Sequence, residues 1–195
     1  MEFQVPDSIS EKEKKLIPFI AYPMTIYFKN GNTRTETKSE MGTMIIFQNT
    51  NSDESVTCAD MMGNKIAMKT SKASIEKMRS MFPIGLPDIK YGNETKMIAG
   101  VRCKKANVTY KDTNCPPMDV WYTKEIDLAN LYQSNIEGID GFLMEYTALK
   151  DGIIIGSKIT SFEQVSIPDS LFNIPEGYKM MKMDSLMTPE QNEKY

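Results

Sequence analysis

The chain predicts an α+β fold that is mainly antiparallel β, a strongly bent sheet accompanied by a few short helices. Three features lead there. Apolar and polar residues alternate over short runs; pairs such as Asn30-Gly31, Gly63-Asn64, Gly92-Asn93 and Asp151-Gly152 cut those runs; and the alternation changes phase near Lys104-Lys105. Alternation sets one side of a strand against a core, and Gly-containing pairs supply the positive φ of tight hairpins, so neighbours in sequence become neighbours in the sheet. A phase change calls for a bulge, and a bulge coils the strand.

Met1 to Val5 alternates as an opening strand, which is read as the start of a mature chain after removal of an export segment. Ser8 and Glu11 have capping-box spacing before a Lys12 to Lys15 run, giving a short helix ended by Pro18. Met24, Ile26 and Phe28 share a strand face, and after Asn30-Gly31 the return strand Thr33 to Lys38 alternates Thr with charge. Met44 to Phe47 is wholly apolar and reads as a central strand buried on both sides.

Val56, Cys58 and Met61 pair across Gly63-Asn64 with Ile66 and Met68. A helix follows, with Ile75, Met78 and Phe82 on one side between Ser71 or Ser74 and the Pro83 stop. Met97, Ala99, Val101 and Cys103 are expected on one side of a long strand, with Ala106, Val108 and Tyr110 taking over beyond the bulge. In the next strand Met118, Val120 and Tyr122 face the core while Trp121 covers the opposite side. Phe142 to Ala148 alternates into Asp151-Gly152, and Pro168-Asp169-Ser170 opens one helical turn.

Composition narrows the function. A chain of 195 residues suits one domain, 1–180, followed by a polar, Met-rich tail, 181–195, read as poorly ordered. Twenty-three basic against 26 acidic residues, net −3, give no long-range attraction for phosphate backbones, and Arg34, Arg79 and Arg102 are scattered. Nucleic-acid binding is therefore not expected. No run approaches the roughly 20 apolar residues of a membrane span.

Cys58, Cys103 and Cys115 form no C-x-x-C pair. If 103–110 and 115–122 form a hairpin with Cys103 facing Tyr122, Cys103 and Cys115 are too far apart to bridge. Buried free thiols are expected, with a bridge from Cys58 to either of the others left open. Without a histidine, the commonest general base and metal ligand is missing, and no constellation reads as catalytic. The chain is read as no enzyme, with no cofactor.

Phe28 to Glu36, Ile98 to Ala106, Val120-Trp121-Tyr122-Thr123 and Phe172 to Tyr178 resemble, in order and spacing, a family of small exported Gram-negative bacterial proteins of unknown function. That family is related to the GLPGLI group and is built like the lipoprotein carriers LolA and LolB. The resemblance implies a curved half-open barrel with short helices over its concave face and an apolar cavity between them. It also implies a periplasmic or cell-envelope setting, with an N-terminal lipid anchor on the precursor as one form. In the carriers the cavity takes lipoprotein acyl chains, and an arginine just after an early hairpin turn closes the helical lid. Arg34 stands at that place, although Thr35 follows where the carriers have Trp.

Methionine is abundant, 16 of 195, and its polarizable side chain suits a pocket for acyl tails. The candidate ligand residues are Arg34, Met44, Met68, Met78, Met97 and Met144, the methionines on expected core faces. The expected function is that of a monomeric, exported, non-catalytic protein holding an apolar ligand, lipid or lipoprotein acyl chain. The alternative is a structural or protein-interaction module of the cell envelope with a filled core.

Overall fold

The computed structural model describes residues 2–4, 22–81, 85–111, 117–126, 136–150 and 153–182. In chain order the strands are β1 (Glu2–Gln4), β2 (Met24–Lys29), β3 (Asn32–Ser39), β4 (Gly42–Asn49), β5 (Glu54–Met61) and β6 (Asn64–Ser71). After helix α1 (Lys72–Met81) come β7 (Asp88–Ile98), β8 (Val101–Thr109), β9 (Met118–Thr123), β10 (Phe142–Lys150), β11 (Ile153–Lys158), a 3₁₀ turn (Asp169–Phe172) and β12 (Lys179–Lys182). The chain divides into two compact units, Met1–Thr25 with Phe82–Ser166, and Ile26–Met81 with Ile167–Tyr195. Antiparallel β-structure dominates as expected. It forms two six-stranded sheets rather than one continuous sheet.

The first unit's sheet runs β1-β11-β10-β9-β8-β7. Ala99 and Gly100, both at positive φ (49° and 80°), reverse the chain between β7 and β8. Gly92-Asn93, expected to turn, is absorbed inside β7, where the register shifts between Tyr91 and Thr95. The β8–β9 hairpin forms one step from the expected register, with Lys104 rather than Cys103 opposite Tyr122. Val101 and Cys103 are buried on one side of β8 and Ala106 and Val108 on the other. The bulge expected at Lys104-Lys105 is not in β8, which pairs with β9 without a shift there; the extra residues belong to β7, between Tyr91 and Thr95.

Around Ala106, Val108, Val120, Tyr122, Ile139 and Leu143 the first unit builds a buried apolar core. A bulge between Leu143 and Glu145 in β10 adds one residue, Met144, whose carbonyl accepts a bond from the Ile159 amide at 2.7 Å. Phe142, Leu143 and Met144 are consequently all buried. On the opposite side of β9 from Val120 and Tyr122, Trp121 lies beneath Lys96, whose Nζ is 4.3 Å from the ring centroid and 2.7 Å from Glu145 Oε1. That is the placement its position between two core residues requires.

The second unit's sheet runs β12-β6-β5-β4-β3-β2. Asn30-Gly31 (φ 51° and 75°) and Met62-Gly63 (φ 54° and 84°) make the left-handed turns, the latter one residue earlier than the sequence indicates. Gly42, at φ 145°, is obligatory, because a Cβ there would stand 1.9 Å from the Asp60 carbonyl oxygen. Ile45, Phe47, Cys58 and Ala67 form the buried cluster, with Val56 and Tyr178 packed on it. Ser71 caps α1, its Oγ accepting from the Ser74 amide at 3.1 Å.

Gly177 takes φ 85° and redirects the chain into β12, which runs parallel to β6. Residues 181 and 182, read as tail, thus belong to a strand, and 183–195 lie outside the described residues. So do the expected helix near Ser8, Cys115 and the Asp151-Gly152 pair, although Lys150 pairs with Ile153 on either side of that pair.

Leu143→Ala should lower the stability of the first unit by about 3 kcal/mol in urea titrations, since the side chain is fully buried and its site is walled by strands. Leu86→Ala, at an exposed position, should stay within about 0.5 kcal/mol of the parent.

Candidate functional site

The second unit's sheet sorts its residues into two unlike faces. Cross-strand partners lie on the same face, so Arg34 joins Phe47 and Val56, while Glu36 joins Ile45, Cys58 and Ala67. The other face carries Thr35, Ile46, Thr57, Met68 and Met181 in one row, and Thr37, Met44, Ala59, Ile66 and Lys179 in the next.

On the first face Arg34 is a junction. Its Nη1 donates to the Leu171 carbonyl at 3.0 Å in the 3₁₀ turn, its Nη2 to Glu36 Oε2 at 2.8 Å, and the guanidinium lies 5.6 Å from the Phe47 ring centroid. Lys29 works beside it, donating to the Ile167 carbonyl and pairing with Asp169, both at 2.8 Å. Two cations of the early hairpin thereby pin the returning segment, each donating to one of its backbone carbonyls. Where segment and sheet meet, a cavity of about 160 Å³ opens between Asn32, Phe47, Asn49, Glu54, Val56 and Phe172. It falls below the roughly 300–1,000 Å³ of ligand cavities.

Burial pulls the Glu36 carboxyl upward, but the hydrogen bonds from Lys38 and Arg34 outweigh it and hold the group below its usual value of 4.5. Burial also pushes the Cys58 and Cys103 thiols up, so both free cysteines are protonated and unreactive at neutral pH. Among the described residues no three His, Cys, Asp or Glu side chains gather as a metal site would.

The expected site residues are not brought together as one set. Met44 and Met68 share the second face of this sheet, and Arg34 stands on the first. Met97 and Met144 belong to the other unit, and the Met78 side chain lies outside the described residues. Met44 and Met97, expected on core faces, are exposed, while Met144 is buried as expected. For Met44 the reason is that β4 is buried on one side only, by Ile45 and Phe47, so every second residue of the apolar run faces outward. For Met97 it is the turn at Ala99-Gly100, which pairs Met97 with exposed Arg102 and gives the buried position to Ile98.

Arg34→Ala should cost about 2 kcal/mol in the second unit, from a charged hydrogen bond lost and Glu36 left without it. Because Glu36 releases its proton more readily when folded, the unfolded chain takes up more protons as pH falls, and stability falls with it. The contribution is complete above the usual 4.5 and disappears as pH drops through the lowered folded value. Glu36→Gln should flatten that acid limb in urea titrations run at successive pH.

No protein-family model matches the chain, and none of the curated proteins does. Solved structures of PNGF-II are similar to it. One aligns with 95% of this chain and 31% of its own length at TM-score 0.51 and 15% identity; another crystal form covers 85% and 29% at TM-score 0.47 and 18% identity. The chain thus spans under a third of PNGF-II, and at this identity the likeness is one of fold alone.

Proposed function

We propose that this chain is a non-catalytic binding protein of the cell envelope, exported from the cytoplasm, that holds the acyl chain of a lipid or lipoprotein. One juxtaposition supports the reading. Register sets Met44, Ile46, Ala59, Ile66, Met68 and Met181 side by side on one sheet face, and none of the six is fully buried. Unbranched thioether side chains adapt to an alkyl chain of any conformation, and burial of the chain against them supplies the free energy.

The half-open barrel of the LolA and LolB type belongs to the same proposal. The irregularities in β7 and β10 are devices that coil a strand, and they favour curvature in the first unit. Arg34 is assigned the task of fixing the 167–172 segment rather than touching the ligand, since its donors at Nη1 and Nη2 already have partners within the protein.

A fluorescence titration with alkyl ligands of increasing length tests the reading. Affinity should rise by about 0.8 kcal/mol for each added methylene until the face is covered. Met44→Lys, which sets an ammonium among the apolar rows, should weaken the longest ligand about tenfold or more. Equal affinity for short and long chains would overturn the proposal.

A further inference from the structure

Four methionines stand on or near two neighbouring turns at one end of the second unit's sheet. Gly42 pairs with Met61, which sets the β3–β4 turn beside the β5–β6 turn. Met44 and Met61 stand on the same face as diagonal neighbours across the β4–β5 ladder, a relation that places such residues about 7–8 Å apart. Met41 and Met62 occupy the two turns. All four are open to solvent: 44% exposed at Met41, 41% at Met44, 49% at Met61 and 99% at Met62.

Thioether sulfur is a soft, uncharged donor, and soft sulfur ligands select Cu(I) over hard cations. Among the described residues nothing else at this end competes as a soft ligand. The chain has no histidine, and Cys58 is buried on the opposite face. Of the carboxylates, Glu40 lies in the first turn and Asp60 on the Cys58 face, where its Oδ1 accepts from the Gly63 amide at 3.1 Å and its Oδ2 lies 4.0 Å from Lys65.

We infer that this end of the sheet is a binding site for a soft monovalent cation of the Cu(I) class, held by the thioether sulfurs of Met44 and Met61 with Met41 and Met62 completing the donor set. Capture releases no proton, because a thioether carries none. Affinity is therefore level across the neutral pH range, unlike that of an imidazole or thiolate site.

Silver nitrate, a redox-inert cation of the same softness, is titrated in chloride-free buffer into the full chain carrying ¹³C-labelled methionine methyls. The methyls of Met41, Met44, Met61 and Met62 should shift together and saturate, while those of exposed Met97 and buried Met144 stay in place. Met44→Leu combined with Met61→Leu keeps volume and apolarity, so it should preserve the fold, and it should weaken silver binding about tenfold or more. Equal shifts at Met97, undiminished binding by the double variant, or affinity that falls between neutral and mildly acidic pH would each overturn the proposal. Should the double variant fail to fold, the methyl shifts of the unsubstituted chain decide alone.

Discussion

Parity is the constraint on which the rest of this structure depends. Successive residues of a strand point to opposite faces, so each two-residue turn decides core or solvent for everything that follows until the next irregularity. Asn30-Gly31, Met62-Gly63 and Ala99-Gly100 all use positive φ at both positions, the twist that matches paired strands. In the second unit that choice sends Arg34 and Glu36 to the side of Ile45, Phe47 and Cys58, and Thr33, Thr35 and Thr37 to the side of the methionines. A slip of one residue would exchange the two sets.

Most of the strands were legible because alternation is a local signal: β5, β6 and β9 lie where apolar and polar residues take turns, and β3 where Thr alternates with charge. Turn chemistry was legible at Asn30-Gly31, where the preferred pair sits at the preferred φ. It misled at Gly92-Asn93, because a bulge uses the same residues as a turn, and the true reversal employs Ala99 at φ 49°, a conformation alanine seldom adopts. The error carried directly into Met97. Long-range pairing left no local trace at all, so the parallel partnership of β12 with β6 and the division into two sheets could not be read from spacing. The hold of Arg34 on the Leu171 carbonyl, 137 residues away, is of the same kind, a pairing that periodicity does not show.

Small residues and long cations share the work of closing the second unit. Cys58 and Ala67 leave a shallow place in the sheet where Tyr178 packs, and Lys65 lies 5.8 Å from the Tyr178 ring centroid. Four buried apolar side chains make a modest core, and the pins from Lys29 and Arg34 add directional bonds to a segment that burial alone holds weakly. The first unit, with a broader buried core, sets two ion pairs on the Trp121 face, Lys96 with Glu145 and Lys105 with Asp119.

The partnership of β12 with β6 also sets a timetable. The second unit is assembled from two stretches of chain, with Phe82–Ser166 of the first unit between them. During synthesis the hairpins from β2 to β6 leave the ribosome early, yet their last strand and the Tyr178 that packs on the buried cluster arrive only after the intervening residues 82–166 have been made. Until then the β6 edge lacks its partner, and an open strand edge is where chains associate wrongly. A nascent chain of this design therefore carries an unpartnered β6 edge throughout the synthesis of residues 82–166.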